Sequence, residues 1–240
     1  MDRKSADSPV TDIRIGLGYV ALLLERGQLG LAAVLRQDMK PGCTVMSRAG
    51  TLAGQRASSM AELLVTGKTQ LEKTLGLAAV NAILLPEAPA SEEDTLSLMN
   101  LTSADRVVMV GFFAPLVKKI EATGAALSIV ELDPVRPGIH DSEDSCKALA
   151  QATVALITAT SLLNGTLEPI LETVKSARHV TLLGPSTPLS PEAFQDTIVS
   201  HLAGSVSVNN DKVLQVVSEG GGTPAMRPFL RFINLIRNEG

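Results

Sequence analysis

Five short β-rich runs recur at nearly even spacing in the second half of the chain, and this recurrence constrains the fold more than any other feature. They occupy residues 107–110, 127–130, 154–157, 180–183 and 205–208. Helical segments separate most of them, at residues 115–122, 145–152, 167–177 and 212–219. Strands that are apolar on both faces and alternate with helices are typical of βαβ units. Because βαβ crossovers are right-handed, the pattern predicts an α/β fold with a doubly wound, Rossmann-like parallel sheet.

The N-terminal part has a different pattern, which predicts a small α+β domain. Residues 13–25 and 29–35 form β-compatible runs on either side of a turn at 26–28, so a hairpin is expected. Helices should follow, because a hydroxyl residue twice stands three positions before a glutamate, the spacing of a capping box. These pairs are Ser59 with Glu62 and Thr69 with Glu72. The second helix carries a core-facing stripe of Leu71, Leu75, Ala78 and Ala82.

Residues 86–94 have the composition of a linker. The segment is acidic, contains two prolines and has no apolar periodicity. We therefore expect an N-terminal domain over residues 1–88 and a Rossmann-like domain over residues 95–240.

Composition excludes several classes of function. The net charge of −4, with 21 basic and 25 acidic residues, offers no basic surface for nucleic acid, and five Phe, one Tyr and no Trp offer few stacking platforms. No apolar run approaches the roughly 20 residues of a membrane span, and no signal peptide is recognisable. Cys43 and Cys146 are the only cysteines, so a reducing cytoplasm is expected. A homo-oligomer is compatible with the sequence.

Polar and small residues follow the predicted strands, where a parallel sheet places its ligand crevice. With an amide on the otherwise apolar second helix, they form the predicted ligand-binding set: Asn81, Gly111, Glu131, Thr160, Asn164, Gly184, Ser186 and Thr187. Each also has a local explanation, since Ser, Thr and Asn cap helices and Gly makes turns.

The segment 184–191 is the most distinctive of these loops. Three prolines restrict it, so Ser186 and Thr187 are expected to be held in one arrangement. Two roles stay open for this pair: holding an anionic group of a ligand, or capping the short helix that follows. We favour the first for at least one of them.

Glu131 ends its strand 20 positions after Gly111, about where nucleotide-binding domains place a carboxylate for ribose. The glycine fingerprint of dinucleotide binding is missing, because Phe112 and Phe113 follow Gly111. As a metal site, Glu131 and Asp133 would supply hard oxygen ligands for a divalent ion. The cluster from His140 to Cys146 is better explained as a solvated, acidic helix start. For the glycines at 220–222, a helix cap and a flexible or anion-binding loop both stay open.

Several segments together resemble a known family, the putative heavy-metal chelation proteins. The resemblance lies in residues 49–54, 75–82, 158–167, 184–191 and 219–223, and spans roughly residues 10–225. It implies an N-terminal domain with the fold of the enolase N-terminal domain, followed by a Rossmann-like domain of unknown function. It also implies a site between the two domains, with Asn81 and the 49–54 turn on one side and the strand-end residues on the other.

Three kinds of function follow. The first is binding of a metal ion, a metal chelate or a small anionic ligand. The sequence does not identify a cofactor, and a divalent metal ion is the candidate for this first kind of function. The second is an enzyme acting on a small anionic or nucleotide-like substrate, of the nucleotide or S-adenosylmethionine class. The third is a structural or partner protein with an empty cleft. The sequence assigns no catalytic residue, and the family name favours the first.

Overall fold

The computed structural model describes residues 3–38, 44–86, 90–132, 135 and 137–237. The chain divides into two compact units. The first consists of Met1–Ala90, Gly184–Ser190 and Gly204–Ile233, and the second of Ser91–Leu183, Pro191–Ala203 and Asn234–Gly240. The first unit thus includes two segments from the C-terminal part of the chain. The domain boundary in residues 86–94 stays a prediction.

The described residues form nine β-strands and ten α-helices. The strands are β1 Val10–Ile15, β2 Tyr19–Leu24, β3 Leu29–Ala33, β4 Arg106–Val110, β5 Ala126–Val130, β6 Val154–Thr158, β7 His179–Leu183, β8 His201–Ser207 and β9 Leu230–Ile236. The helices are α1 Arg3–Ala6, α2 Ala57–Ala61, α3 Leu63–Thr66, α4 Gln70–Ile83, α5 Ala114–Glu121, α6 Ser142–Ala150, α7 Ser161–Asn164, α8 Leu167–Thr173, α9 Asn210–Ser218 and α10 Thr223–Met226. Short 3₁₀ segments lie at Arg36–Asp38, Ser97–Met99, Pro191–Phe194 and Arg227–Phe229. In this part of the chain, no helix combines the length and apolar character that a membrane span requires.

An antiparallel sheet of three strands, in the order β1-β2-β3, forms the first unit's scaffold. The predicted hairpin is β2 with β3, whose turn contains Gly27 at a φ of +87°. The expectation of one continuous strand before that turn is wrong. Gly16 N donates to Tyr19 O at 2.9 Å, so the chain turns there and β1 pairs with β2 as a second hairpin.

Helix α4 packs against this sheet with the predicted stripe, since Leu71, Leu75, Ala78 and Ala82 are all buried. The contact is close because β3 carries a glycine there. A Cβ on Gly30 would lie 2.0 Å from Ala78 O, so no larger residue fits without movement.

The two predicted capping boxes have different outcomes. The Thr69 side chain accepts from Glu72 N, and the Glu72 carboxylate accepts from the backbone N–H of Thr69, so α4 has the expected capping box. The box at Ser59 is wrong. Helix α2 begins at Ala57 with Arg56 as its N-cap, so Ser59 lies inside the helix, and Glu62 lies at its C-terminal end.

The larger sheet has the order β5-β4-β6-β7-β8-β9. The pairs from β5 to β8 are parallel. Hydrogen bonds from Val208 N to Phe229 O and from Arg237 N to Ser200 O flank β8 and β9, an antiparallel pattern. The five predicted strands are confirmed, although β8 begins at His201 rather than at residue 205. Strand β9 was not predicted.

The strand order contains the reversal of a doubly wound sheet. The chain passes from β4 to β5 on one side and then crosses back to β6 on the other. Because such crossovers are right-handed as a rule, α5 and α6 are expected on opposite faces of the sheet, and α6 and α8 on the same face. In agreement with the second expectation, α6 contacts α8. In doubly wound sheets, ligands bind at the carboxyl ends of the strands where the order reverses, here between β4 and β6.

Candidate functional site

Gly111 follows β4 at this reversal. Its φ is +85°, a conformation that glycine adopts without strain. Its N–H donates to Val130 O at 2.8 Å, and a Cβ on it would lie 3.0 Å from Thr158 Cγ2. The glycine therefore allows the loop after β4 to pass close to the end of β6.

Glu131 follows β5 and ties the ends of two strands together. Its Oε2 accepts from Phe112 N at 3.0 Å, and its Oε1 accepts from Leu132 N at 2.9 Å. The carboxylate thus stabilises the loop that leads into α5. Asp133, the other predicted metal ligand, lies outside the described residues.

Ile139 pairs with the outer edge of β5 near the carboxyl end of this strand. Ile139 N donates to Ile129 O at 2.7 Å, and Glu131 N donates to Ile139 O at 3.1 Å. His140 Nδ1 lies 2.9 Å from Glu131 O. Because a carbonyl oxygen only accepts, Nδ1 carries the hydrogen. At this end, the edge of β5 is therefore paired with its own chain.

Hydroxyl groups surround the end of β6. Thr158 Oγ1 and Thr160 Oγ1 are 2.9 Å apart, and Ser161 Oγ donates to Thr158 O at 2.7 Å. Sequence reasoning singled out Thr160 but not Thr158, whose importance depends on its contact with the loop after β4. Asn164 has a local role, because its Oδ1 accepts from both the N–H and the hydroxyl of Thr166.

The remaining predicted residues lie in the first unit, together with Asn81. Asn81 Nδ2 donates to Leu31 O at 2.7 Å and to Ser186 O at 2.9 Å, while Ser186 Oγ accepts from Ala33 N at 2.8 Å. Both Asn81 and Ser186 are buried. Asn81 therefore contacts the 184 loop directly.

These contacts satisfy the open edge of β3. Leu24 N donates to Gln28 O and Val34 N donates to Gly18 O. The backbone N–H and C=O groups of the even-numbered residues of β3 therefore point towards β2. The backbone groups of Leu31 and Ala33 therefore point away from β2. On that side, Leu31 O accepts from Asn81 and Ala33 N donates to Ser186. An unsatisfied strand edge is a site of unwanted pairing, and these two side chains satisfy one acceptor and one donor on it.

Within the 184 loop, Gly184 has a φ of +112° and its carbonyl accepts from Thr187 N at 3.0 Å. Thr187 is 2% exposed. The alternative that Ser186 serves only as a helix cap does not fit, because its hydroxyl accepts from Ala33 N. The assignment of this pair to ligand binding stays a prediction.

The glycines at 220–222 end α9. Gly220 N donates to Val217 O at 3.1 Å and Gly221 N to Val216 O at 2.8 Å, with Gly220 at a φ of +77°. This is the helix cap that was one of the two alternatives. Thr223, which follows, lies 2.7 Å from the hydroxyl of Tyr19.

Two histidines that are 22 positions apart meet inside the second unit. His179 Nε2 lies 3.1 Å from His201 Nδ1, and His201 Nε2 lies 2.9 Å from Asn234 Oδ1. Asn234 donates its amide hydrogens to Ser91 O and Glu93 O, so its Oδ1 must accept from His201 Nε2. His201 Nδ1 is then an acceptor, and His179 Nε2 donates to it.

Burial lowers the pKa of both rings. The pKa of His179 falls to about 4, first through desolvation and then through the neighbouring His201 and Arg178. Desolvation also lowers the pKa of His201, against the bond to Asn234. Both rings are therefore neutral at pH 7. The sequence alone does not bring these histidines together, because their contact depends on the register of β7 with β8.

Among the described residues, no group of three or more His, Cys, Asp or Glu side chains is placed to hold a metal ion. The cluster from His140 to Cys146 follows the sequence interpretation of a helix start. Asp141 caps α6 through Glu143 N and Asp144 N. Its carboxylate is thus engaged with the helix backbone.

Two family models match the chain, and both carry the description "Putative heavy-metal chelation". One covers residues 1–84 and the other residues 94–236, which is more than half of the chain. The chain belongs to this family. The resemblance seen in the sequence is thereby confirmed.

Relatives of the chain agree with this assignment. An uncharacterized protein of Methanocaldococcus jannaschii is 25% identical over 223 residues, which cover 89% of this chain and 85% of that protein. Two solved structures, from Pyrococcus horikoshii and Desulfitobacterium hafniense DCB-2, are described as proteins with unknown function from one domain family. Each has a TM-score of 0.82 and covers 97% of this chain, at 21% and 22% identity respectively. Matches covering 95% and 94% of those chains indicate the same fold.

Proposed function

We propose that this protein binds a small ligand, most suitably a metal ion already held by a small chelator, at the carboxyl ends of β4, β5 and β6. The reversal of strand order between β4 and β6 carries the proposal, because doubly wound sheets bind their ligands at this point. The family description supports a metal-containing ligand.

The local chemistry supports a polar ligand. Gly111 keeps the space beside Thr158 free of a side chain, and Thr158 and Thr160 place two hydroxyl groups 2.9 Å apart. Glu131 holds the loop that begins α5 through Phe112 N. One of the two threonine hydroxyls donates to the other, and the remaining hydroxyl hydrogen suits a carboxylate oxygen of a chelator.

The side chains available to bind a metal favour a metal chelate over a bare metal ion. A site that binds a transition metal through side chains usually supplies at least three of them. The described residues contain no such group. A chelator that brings its own donor atoms would need only recognition of its outer polar groups.

A melting-temperature panel tests this proposal. The full chain would be heated with Zn²⁺, Ni²⁺ or Co²⁺ alone, and with the same ions bound to citrate or to free histidine. A ligand at 100 times its Kd stabilises by about 2.7 kcal/mol, or several degrees in Tm for a chain of this size. We expect the chelates to raise Tm more than the ions or the chelators alone.

A pair of variants locates the site. Thr160→Val removes one hydroxyl at the end of β6 and should abolish most of the shift. Thr173→Val is the control, because its hydroxyl bonds to Pro169 O within α8. An equal shift in both variants would place the ligand elsewhere, and no shift with any metal or chelate would contradict the proposal.

A second candidate is an enzyme acting on a nucleotide-like or S-adenosylmethionine-class substrate. The observation that favours it is Glu131, which ends the strand next to β4, as the ribose-binding carboxylate of nucleotide enzymes does. Adenosine, ATP and S-adenosylmethionine belong in the same panel. Shifts with these compounds that Glu131→Gln removes, without any shift by metal chelates, would favour the enzyme.

A further inference from the structure

Asn81 is a buried amide whose orientation is determined by its neighbours. Both hydrogens of Nδ2 are donated to backbone carbonyls, to Leu31 O at 2.7 Å and to Ser186 O at 2.9 Å. Rotating the amide by 180° would direct Oδ1 at these two carbonyls, which only accept. The assignment of the nitrogen and oxygen therefore follows from the contacts.

The oxygen of this amide has no hydrogen-bond donor among the described residues. Oδ1 is shielded from solvent, and the residue is 6% exposed. Native proteins leave few buried polar atoms without a partner, because water cannot replace the lost bond.

Asn81 differs in this respect from the other buried atoms without a partner. Three of them are hydroxyls, on Ser8, Ser205 and Ser207, which can rotate to donate or accept. The fourth, Gln28 Oε1, belongs to an amide whose Nε2 bonds to the hydroxyl of Ser5, and that hydroxyl can both donate and accept. Among the described residues, only Asn81 combines a determined orientation with an unpartnered, buried acceptor that cannot change its role.

We infer that Asn81 Oδ1 is a binding site for a hydrogen-bond donor from outside the chain. The donor must be an O–H or N–H group, because carboxylate, phosphate or carbonyl oxygens would bring a second acceptor against the first. Two sources share this chemistry, namely an ordered water molecule and a hydroxyl or amino group of a small molecule. The site lies in the first unit and does not depend on the ligand proposed for the strand ends.

A crystal structure of the full chain tests the inference, with two preparations to separate the sources. One is the protein as purified, and the other is protein unfolded in denaturant, dialysed and refolded without small molecules. We expect electron density at hydrogen-bonding distance, about 2.6–3.2 Å, from Asn81 Oδ1. A single round peak in both preparations identifies water. Extended density in the first preparation only, with a matching excess mass by native mass spectrometry, identifies a small molecule.

Three outcomes would overturn the inference. They are a donor of the chain itself at hydrogen-bonding distance from Oδ1, a space without density around it, or an anomalous peak within about 2.5 Å that shows a metal ion. A solution measurement avoids dependence on variants that may not fold. In an NMR experiment, we expect magnetization transfer between the Asn81 side-chain amide and a bound water or small molecule. The exposed side-chain amide of Asn210, which donates to Gly27 O, is the comparison.

Discussion

At Gly111, both the backbone conformation and the available space restrict which residue the proposed site can contain. Gly111→Ala should destabilise the chain twice, through its φ of +85° and through the contact of the new Cβ with Thr158. The left-handed conformation costs a residue with a Cβ about 1–2 kcal/mol, and crowding adds about 1–3 kcal/mol. Urea unfolding would measure the sum.

A second glycine separates the two effects. Gly165 has a φ of +72°, but a Cβ on it would meet nothing within 4 Å. Gly165→Ala should therefore show the conformational cost alone, about 1–2 kcal/mol. Equal losses in the two variants would mean that the contact with Thr158 is unimportant.

Ser186 is expected to matter for stability because it satisfies a strand edge. Ser186→Ala removes the acceptor of Ala33 N, and a fully buried N–H without a partner costs about 1–3 kcal/mol, so this partly buried bond should cost about 1 kcal/mol. Ser176→Ala, at an exposed serine after α8, should change the free energy of unfolding by less than about 0.5 kcal/mol. Similar unfolding free energies for the two variants would argue against this role. The ligand panel applied to Ser186→Ala would test its predicted binding role as well.

At the scale of single elements, α4 depends on its capping box. Thr69→Ala should lower the free energy of unfolding by about 0.5–2 kcal/mol, because Glu72 N loses its acceptor. Ser59→Ala is the matched control, since Ser59 lies exposed within α2 and caps nothing. Alanine is the better helix former, so this variant should be neutral or slightly stabilising. A comparable loss in both would contradict the observed start of α2.

The histidine pair joins β7, β8 and β9 and predicts a pH dependence of stability. The pKa of His179 is about 4 in the folded chain and about 6.5 when unfolded, so between these values the unfolded state binds more protons. Stability is therefore present above about pH 6.5 and is lost as the pH falls towards 4. Because the ring is partly exposed, we expect a loss of about 1–2 kcal/mol.

Chemical unfolding at pH 7.5 and 4.5 measures this effect. His179→Gln keeps a donor for His201 Nδ1 but cannot titrate, so its stability should fall less over the same interval. The same fall in the variant as in the wild type would show that His179 is not responsible.

At the scale of the whole molecule, limited proteolysis tests the predicted boundary. A glutamate-specific protease has three sites in the linker, after Glu87, Glu92 and Glu93. Ser91 exchanges backbone hydrogen bonds with Asn234, whose side chain also holds Glu93 O. We expect the first cut after Glu87, with the two later sites protected. Early cleavage elsewhere, with the linker intact, would contradict the boundary.

The sequence by itself determined the elements that arise from local chemistry. Runs that are apolar on both strand faces, separated by helices, predicted the parallel strands, and the Thr69–Glu72 spacing predicted the start of α4. Both predictions depend on residues that are close in the chain. The same spacing at Ser59 failed, since α2 begins three residues earlier, with Arg56 rather than Ser59 as its N-cap. Strand β9 was missed because it lies beyond the glycines that ended the repeating pattern.

Only the tertiary structure decided which distant residues meet. Asn81 and Ser186 are 105 positions apart, and their contact depends on the edge of β3. His179 and His201 meet through the register of β7 with β8, and Thr158 gains its place through the loop after β4. A sequence specifies the polar residues available, but strand order and register determine their partners. The sequence therefore placed Gly111, Glu131 and Thr160 at strand ends, but it could not identify the contacts of Asn81 with Ser186 or of His179 with His201.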